Sequence, residues 1–230
     1  MVFQNSIFFY AFLSALAASV LILLTKPLHI RFTAKGHTTL DRQSSHSNPT
    51  PRIGGISIML GCIVGVLLLT GQDTTHIAVL LGISCLPVFL GGLGEDIGLN
   101  VSTLIRLVLS FASALCAGLL FNCWIPRLGI PGLEFVTSYV VVSAFLTILV
   151  SAGISQAFNL IDGLNGLAIG ISLITGLGLG GIAHSVGDYT LSSICWVLIA
   201  SLAGTLVFNF PFGKIFLGDA GAYSIGHILT

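Results

Sequence analysis

Glu95-Asp96, the stretch Asn159-Leu160-Ile161-Asp162-Gly163-Leu164-Asn165-Gly166, and Lys214 with Asp219 form polar islands between long apolar runs. Bringing a carboxylate or carboxamide to the edge of a hydrocarbon layer costs free energy unless something is bound there, so such islands are candidate sites. Carboxylates gathered beside basic residues suit a divalent cation and a phosphorylated ligand. Mg²⁺ is held through one or two carboxylates plus substrate phosphate oxygens, and lysine or arginine neutralises the remaining phosphate charge. The competing reading of each island is a loop that lies in water.

Asp219 stands in Gly218-Asp219-Ala220-Gly221, directly before an apolar run. Small neighbours leave room for a metal or a bulky ligand, and a following helix N-terminus favours an anion; a plain N-cap role is also available. Glu95 and Asp96 are adjacent, so on a helix they point apart, and they face one ligand together only at a helix end or in a turn. Arg106 lies just inside an apolar run, where a cation needs an internal ion pair or a phosphate. Pro51-Arg52-Ile53-Gly54-Gly55 reads either as a helix start with an interfacial arginine or as glycines that admit a phosphate or lipid headgroup to the backbone. The histidines show no ligand spacing and the five cysteines no CxxC pair. Gly176-Leu177-Gly178-Leu179-Gly180-Gly181 satisfies G-x-G-x-x-G formally. No strand precedes it, so close helix packing is expected there and a nucleotide fingerprint is not.

The elements that must carry these residues follow from composition. Hydrophobic residues make up 55% of the 230 and charged residues 7%, with a mean hydropathy of +1.05. A soluble domain carries about 25% charged residues, so an all-α polytopic membrane protein is expected. The apolar runs are continuous and of helix-span length, unlike the short alternating segments of a barrel. Spans are expected at 7–24, 53–70, 77–93, 104–121, 135–152, 167–183 and 191–208, with 222–230 opening an eighth. The loop 26–52 carries Lys26, Arg31, Lys35, Arg42 and Arg52 against the single acid Asp41, which by the positive-inside rule places it in the cytoplasm. Every polar island then falls on the cytoplasmic side, leaving Asp73, Arg127, Glu134 and Asp188 outside. The first apolar run has its positive charge behind it and reads as an uncleaved span.

Four motifs stand in one order: PRIGGISIMLG from Pro51, GLGEDIGLNVSTLIRL from Gly92, QAFNLIDGLNGLAIG from Gln156 and NFPFGKIFLGDAGAYSIG from Asn209. By them the chain resembles the polyprenyl-phosphate N-acetylhexosamine-1-phosphate transferases, the WecA and MraY group of glycosyltransferase family 4, with the WecA-like branch fitting better. The resemblance implies that a polyprenyl phosphate such as undecaprenyl phosphate attacks the β-phosphorus of a UDP-N-acetylhexosamine, releasing UMP. The reaction would serve envelope polysaccharide or cell-wall biosynthesis at the cytoplasmic face of the bacterial inner membrane. The resemblance also implies Mg²⁺, with Asp219 as principal ligand and Asn159 as a second. Asp96 and Glu95 would orient or deprotonate the lipid phosphate, and Asp162 would serve nucleotide-sugar binding or catalysis. Arg106 and Lys214 would contact phosphate, with Arg52 and Asn165 also on the substrate side.

Glu95 and Asn165 both depart from aspartates common in the family, so Asn165 is given no charge-based role. No nucleic-acid partner is expected, and a homodimer stays open. The family continues through further spans and a histidine-containing loop, so residues 1–230 are expected to be a single transmembrane domain forming the N-terminal part of a longer fold. The alternatives are an inactive truncated homologue and a transporter, which would place its polar groups near the bilayer midplane.

Overall fold

The computed structural model describes residues 2–28, 50–131 and 135–230. Eight α-helices run through the described residues, which contain no strand. They are α1 (Val2–Leu24), α2 (Gly54–Leu68), α3 (Gln72–Asp96), α4 (Thr103–Phe121), α5 (Val140–Ile161), α6 (Leu167–Ser185), α7 (Tyr189–Asn209) and α8 (Gly218–Ile228), with a 3₁₀ turn at Val136–Ser138 before α5. Six of them, α1 and α3 to α7, are long and apolar enough to cross a membrane. The chain is a multi-pass, all-α membrane protein, as its composition requires.

Several boundaries differ from the expected spans, three of them at α2, α3 and α5. α2 has only 15 residues, about 22 Å at the helical rise and short of a full crossing, and the backbone of Pro51, Gly54 and Gly55 at its start pairs with residues 216–217. The connection left between the spans expected at 53–70 and 77–93 is already helical from Gln72, as the first turn of α3. α5 runs to Ile161 and not to 152, because its polar residues face partners inside the bundle: the Ser155 hydroxyl donates to the Tyr223 carbonyl at 2.7 Å, and Gln156 to the Ser110 hydroxyl at 2.9 Å. A polar side chain with a partner does not end a helix. Arg31, Lys35, Asp41 and Arg42 of the basic loop, and Glu134, lie outside the described residues.

α1 packs on α2 and α7, α6 on α7, and both α3 and α5 on α4 and α8, while α2 touches α7 and α8 and so joins the two halves. The 11-residue α8 is therefore central, and every residue from Gly218 to His227 is buried, Asp219, Tyr223 and His227 included. Glycines make this approach possible. A Cβ on Gly55 would lie 2.3 Å from the Gly221 nitrogen, and one on Gly92 2.5 Å from the Ala220 nitrogen. The glycines of PRIGG thus meet the chain's own backbone at residues 216–217 and 220–221. Ile58, Leu198, Leu202, Leu217 and Ile225 fill the space between α2, α7 and α8. The Gly176–Gly181 stretch lies within α6, where Gly176 meets Ile199 and Gly180 meets Cys195 of α7, so it is a packing surface.

Candidate active site

The ends of α3, α5 and α7 and the starts of α2, α6 and α8 meet at one end of the bundle. There the Phe216 N–H donates to the Pro51 carbonyl at 2.9 Å, the Gly54 N–H to the Phe216 carbonyl at 2.9 Å and the Gly55 N–H to the Leu217 carbonyl at 2.8 Å. This short ladder fixes the strap that leads into α8. At its end Gly218 has φ +76, and a Cβ there would lie 2.1 Å from the Arg52 carbonyl oxygen and 2.7 Å from Asp96 Oδ2. Only glycine fits this turn.

The N-terminus of α8 is capped from another helix. Asp96, the last residue of α3 and 4% exposed, accepts the Asp219 N–H on Oδ1 and the Ala220 N–H on Oδ2, each at 2.8 Å. A carboxylate at a helix start satisfies orphan donors and meets the positive end of the dipole. Asp219 is thereby relieved of capping its own helix. Its Oδ1 accepts from Asn159 Nδ2 at 3.0 Å, and its Oδ2 pairs with the Arg106 guanidinium. Of the two explanations open for Arg106, the ion pair is the one observed. The second guanidinium nitrogen reaches the Thr103 hydroxyl at 3.4 Å.

Glu95 and Asp96 do stand at a helix end, but they face different ways. Glu95 interacts electrostatically with Arg106 and Tyr223, and its Oε2 is buried with no hydrogen-bond partner. Arg52 is half-buried and acts on both Asp96 and Asp162. Asp162 follows α5, and burial pushes its carboxyl up to about 7; Arg52 and the Gly218 N–H oppose that rise, and Asp219 adds to it.

Lys214 and Asn165 lie in the adjoining loops. Lys214 is exposed, with its ammonium 5.7 Å from the centre of the Phe212 ring. Asn165 Nδ2 donates to the Pro211 carbonyl at 3.3 Å. Asn209 ties the two loops together, accepting the Gly166 N–H at 2.6 Å and donating to the Ile215 carbonyl at 2.9 Å. The structure therefore gathers Asp96, Asp219, Asn159 and Arg106 tightly, sets Arg52, Asp162 and Glu95 around them, and leaves Lys214 and Asn165 at the rim.

Sequence reasoning passed over Gln156, Ser110 and Tyr223. Gln156 donates to the Ser110 hydroxyl, which donates to the Arg106 carbonyl at 2.9 Å, and Tyr223 shares the field of Arg106, Asp219 and Glu95. Each stands three or four residues from a recognised site residue on the same helix, and that same-face spacing was the available signal.

Residues 76–230 match the model of the family described as glycosyl transferase family 4. The chain belongs to that family. It is 31% identical over 186 residues to a Bacillus subtilis protein named "Probable undecaprenyl-phosphate N-acetylglucosaminyl 1-phosphate transferase", covering 80% of this chain and 51% of that one. It is 30% identical over 234 residues to the decaprenyl-phosphate N-acetylglucosaminephosphotransferase of Mycobacterium tuberculosis, covering 93% and 57%. With the undecaprenyl-phosphate alpha-N-acetylglucosaminyl 1-phosphate transferase of Yersinia pestis it shares 29% over 194 residues, covering 79% and 50%. The chain spans about half the length of the curated relatives it matches. Within the family match lie Glu95-Asp96, Asn159 to Gly166 and Lys214 to Asp219, while Arg52 precedes it.

Proposed function

We propose that the full-length protein transfers N-acetylhexosamine 1-phosphate from a UDP-sugar to polyprenyl phosphate and releases UMP. The observation that carries this reading is the Asp219 carboxylate, held by the Asp96 cap and set between Asn159 and Arg106 at one end of the membrane helices. An oxygen of the acceptor phosphate attacks the β-phosphorus of the UDP-sugar, and the bond from that phosphorus to the bridging oxygen of UMP breaks. Such transfers depend on positioning and charge neutralisation more than on covalent help from the protein.

Mg²⁺ is part of the proposal. Among the described residues no three His, Cys, Asp or Glu side chains come together as a ready-made metal cage. Mg²⁺ needs none, since it binds through one or two protein oxygens and completes its shell with water and phosphate. Asp219 and Asn159 offer a carboxylate and a carboxamide of that kind. When bound, the ion neutralises charge on the diphosphate. Arg106 and Arg52 supply positive charge beside the phosphate oxygens, and Asp162, its carboxyl pushed up to about 7, is suited to take a proton from the acceptor phosphate.

The cytoplasmic face of a bacterial inner membrane is the proposed location, because the basic residues of 26–52 connect α1 and α2 on the side of the site. N-acetylglucosamine is the first sugar to test, since all three relatives carry it in their names. A transporter is disfavoured by a polar cluster at the bundle end instead of the midplane. The deciding experiment supplies membranes holding the full-length protein with labelled UDP-N-acetylglucosamine and undecaprenyl phosphate. Label passing into an organic-extractable lipid supports the transferase; label that stays water-soluble contradicts it.

A further inference from the structure

The pocket around Arg106 holds two carboxylates for one guanidinium. Asp219 is paired with it, while Glu95 lies within its electrostatic reach and keeps a buried Oε2 without a partner. Arg106 has its own unsatisfied group, Nε, which is also buried. Buried donors and acceptors left without partners cost free energy, and a charge-assisted pair recovers more of it than a neutral one. We infer that Arg106 is a latch shared by the two carboxylates: it holds Asp219 in the state described here and passes to Glu95 when a divalent cation takes Asp219.

This rests on reading Asp219 as a metal ligand. A cation on Asp219 repels the guanidinium at close range, and Arg106, 16% exposed, then has the buried, unpartnered Oε2 of Glu95 within its electrostatic reach. Glu95 receives it without any helix moving, because the neighbouring Asp96 pins the end of α3 to the start of α8. Arginine suits the exchange: its five donors in a fixed fork let one pair break as another forms. Glu95 then contributes to cation binding through Arg106 and not by touching the ion, so Glu95 is a positioning residue.

The test is Mn²⁺ binding to the purified full-length protein in detergent without nucleotide, read from loss of the free-ion EPR signal. Asp219→Asn defines the specific site. Arg106→Gln is expected to tighten that site about tenfold, the worth of one charge-assisted bond removed from competition. Glu95→Gln is expected to weaken it roughly threefold in the wild-type background and to have no effect once Arg106→Gln is present. Equal weakening in both backgrounds would make Glu95 a nearby charge only and overturn the latch, as would a failure of Arg106→Gln to tighten binding. If Arg106→Gln does not fold, Arg106→Met takes its place in the same comparison with the same outcomes, and unchanged affinity in Glu95→Gln overturns the latch in either case. Absence of any Asp219-dependent Mn²⁺ binding removes the metal reading and the latch together, whereas Asp219-dependent binding that ignores Arg106 removes the latch alone.

Discussion

The Asp96 carboxylate accepts the backbone N–H groups of Asp219 and Ala220, each at 2.8 Å, across 123 and 124 residues of chain. It caps a helix to which it does not belong, and so sets the depth and direction of Asp219. A carboxamide in its place offers one acceptor and turns an N–H₂ toward a backbone donor. Asp96→Asn is therefore expected to cost about 1–3 kcal/mol of stability as well as turnover. Thermal unfolding in detergent, run beside the activity assay, checks this. Unchanged stability with lost turnover would move Asp96 from the scaffold to the substrate.

The glycines facing α8 give a sharper contrast within one helix. A Cβ on Gly92 would sit 2.5 Å from the Ala220 nitrogen, whereas one on Gly82 would meet nothing within 4 Å. Gly92→Ala should lower the unfolding midpoint strongly, by the equivalent of about 2 kcal/mol or more, and reduce activity with it. Gly82→Ala should be neutral or stabilising by up to about 1 kcal/mol, since alanine is the better helix former. Similar behaviour of the two variants would mean that α3 does not approach α8 this closely.

Asp162 gives a pH dependence with a definite sign. Its carboxyl titrates at about 7 in the fold against 3.8 for the ordinary group, so between those values the folded state binds more protons than the unfolded one. The stability it contributes is present at low pH and is lost as pH rises through about 7. Midpoints should fall from about pH 5.5 to about pH 7 in the wild type and level off above that, and Asp162→Asn should flatten the fall. An unaltered slope would show that Asp162 is not buried as a neutral acid.

The helices and the gathering of polar residues at one end of them could be read from the chain, because hydropathy is a local signal. Asn159, Asp162, Asp219 and Glu95-Asp96 stood out for the same reason: each interrupts an apolar run. The partners of these residues were not readable. Nothing in the spacing of Asp96 and Asp219 says that one caps the helix of the other, and Arg106 could equally have faced a phosphate. α8 was expected to begin as a span at 222, but it starts at Gly218, because the Asp96 carboxylate and the strap paired to residues 51–55 supply a start signal that lies far away in sequence. Gly55 and Gly92 carried no local mark separating them from Gly82, since only the approach of a second backbone distinguishes them.

The most direct test is UMP release by the full-length protein supplied with undecaprenyl phosphate, UDP-N-acetylglucosamine and Mg²⁺, with Asp219→Asn as the paired variant. The expected result is release that requires the lipid, the sugar nucleotide and the metal, and that falls by about 100-fold or more in Asp219→Asn. Release that persists without metal, or an Asp219→Asn protein that keeps most of the wild-type rate, would contradict the placing of Asp219 at the centre of the reaction.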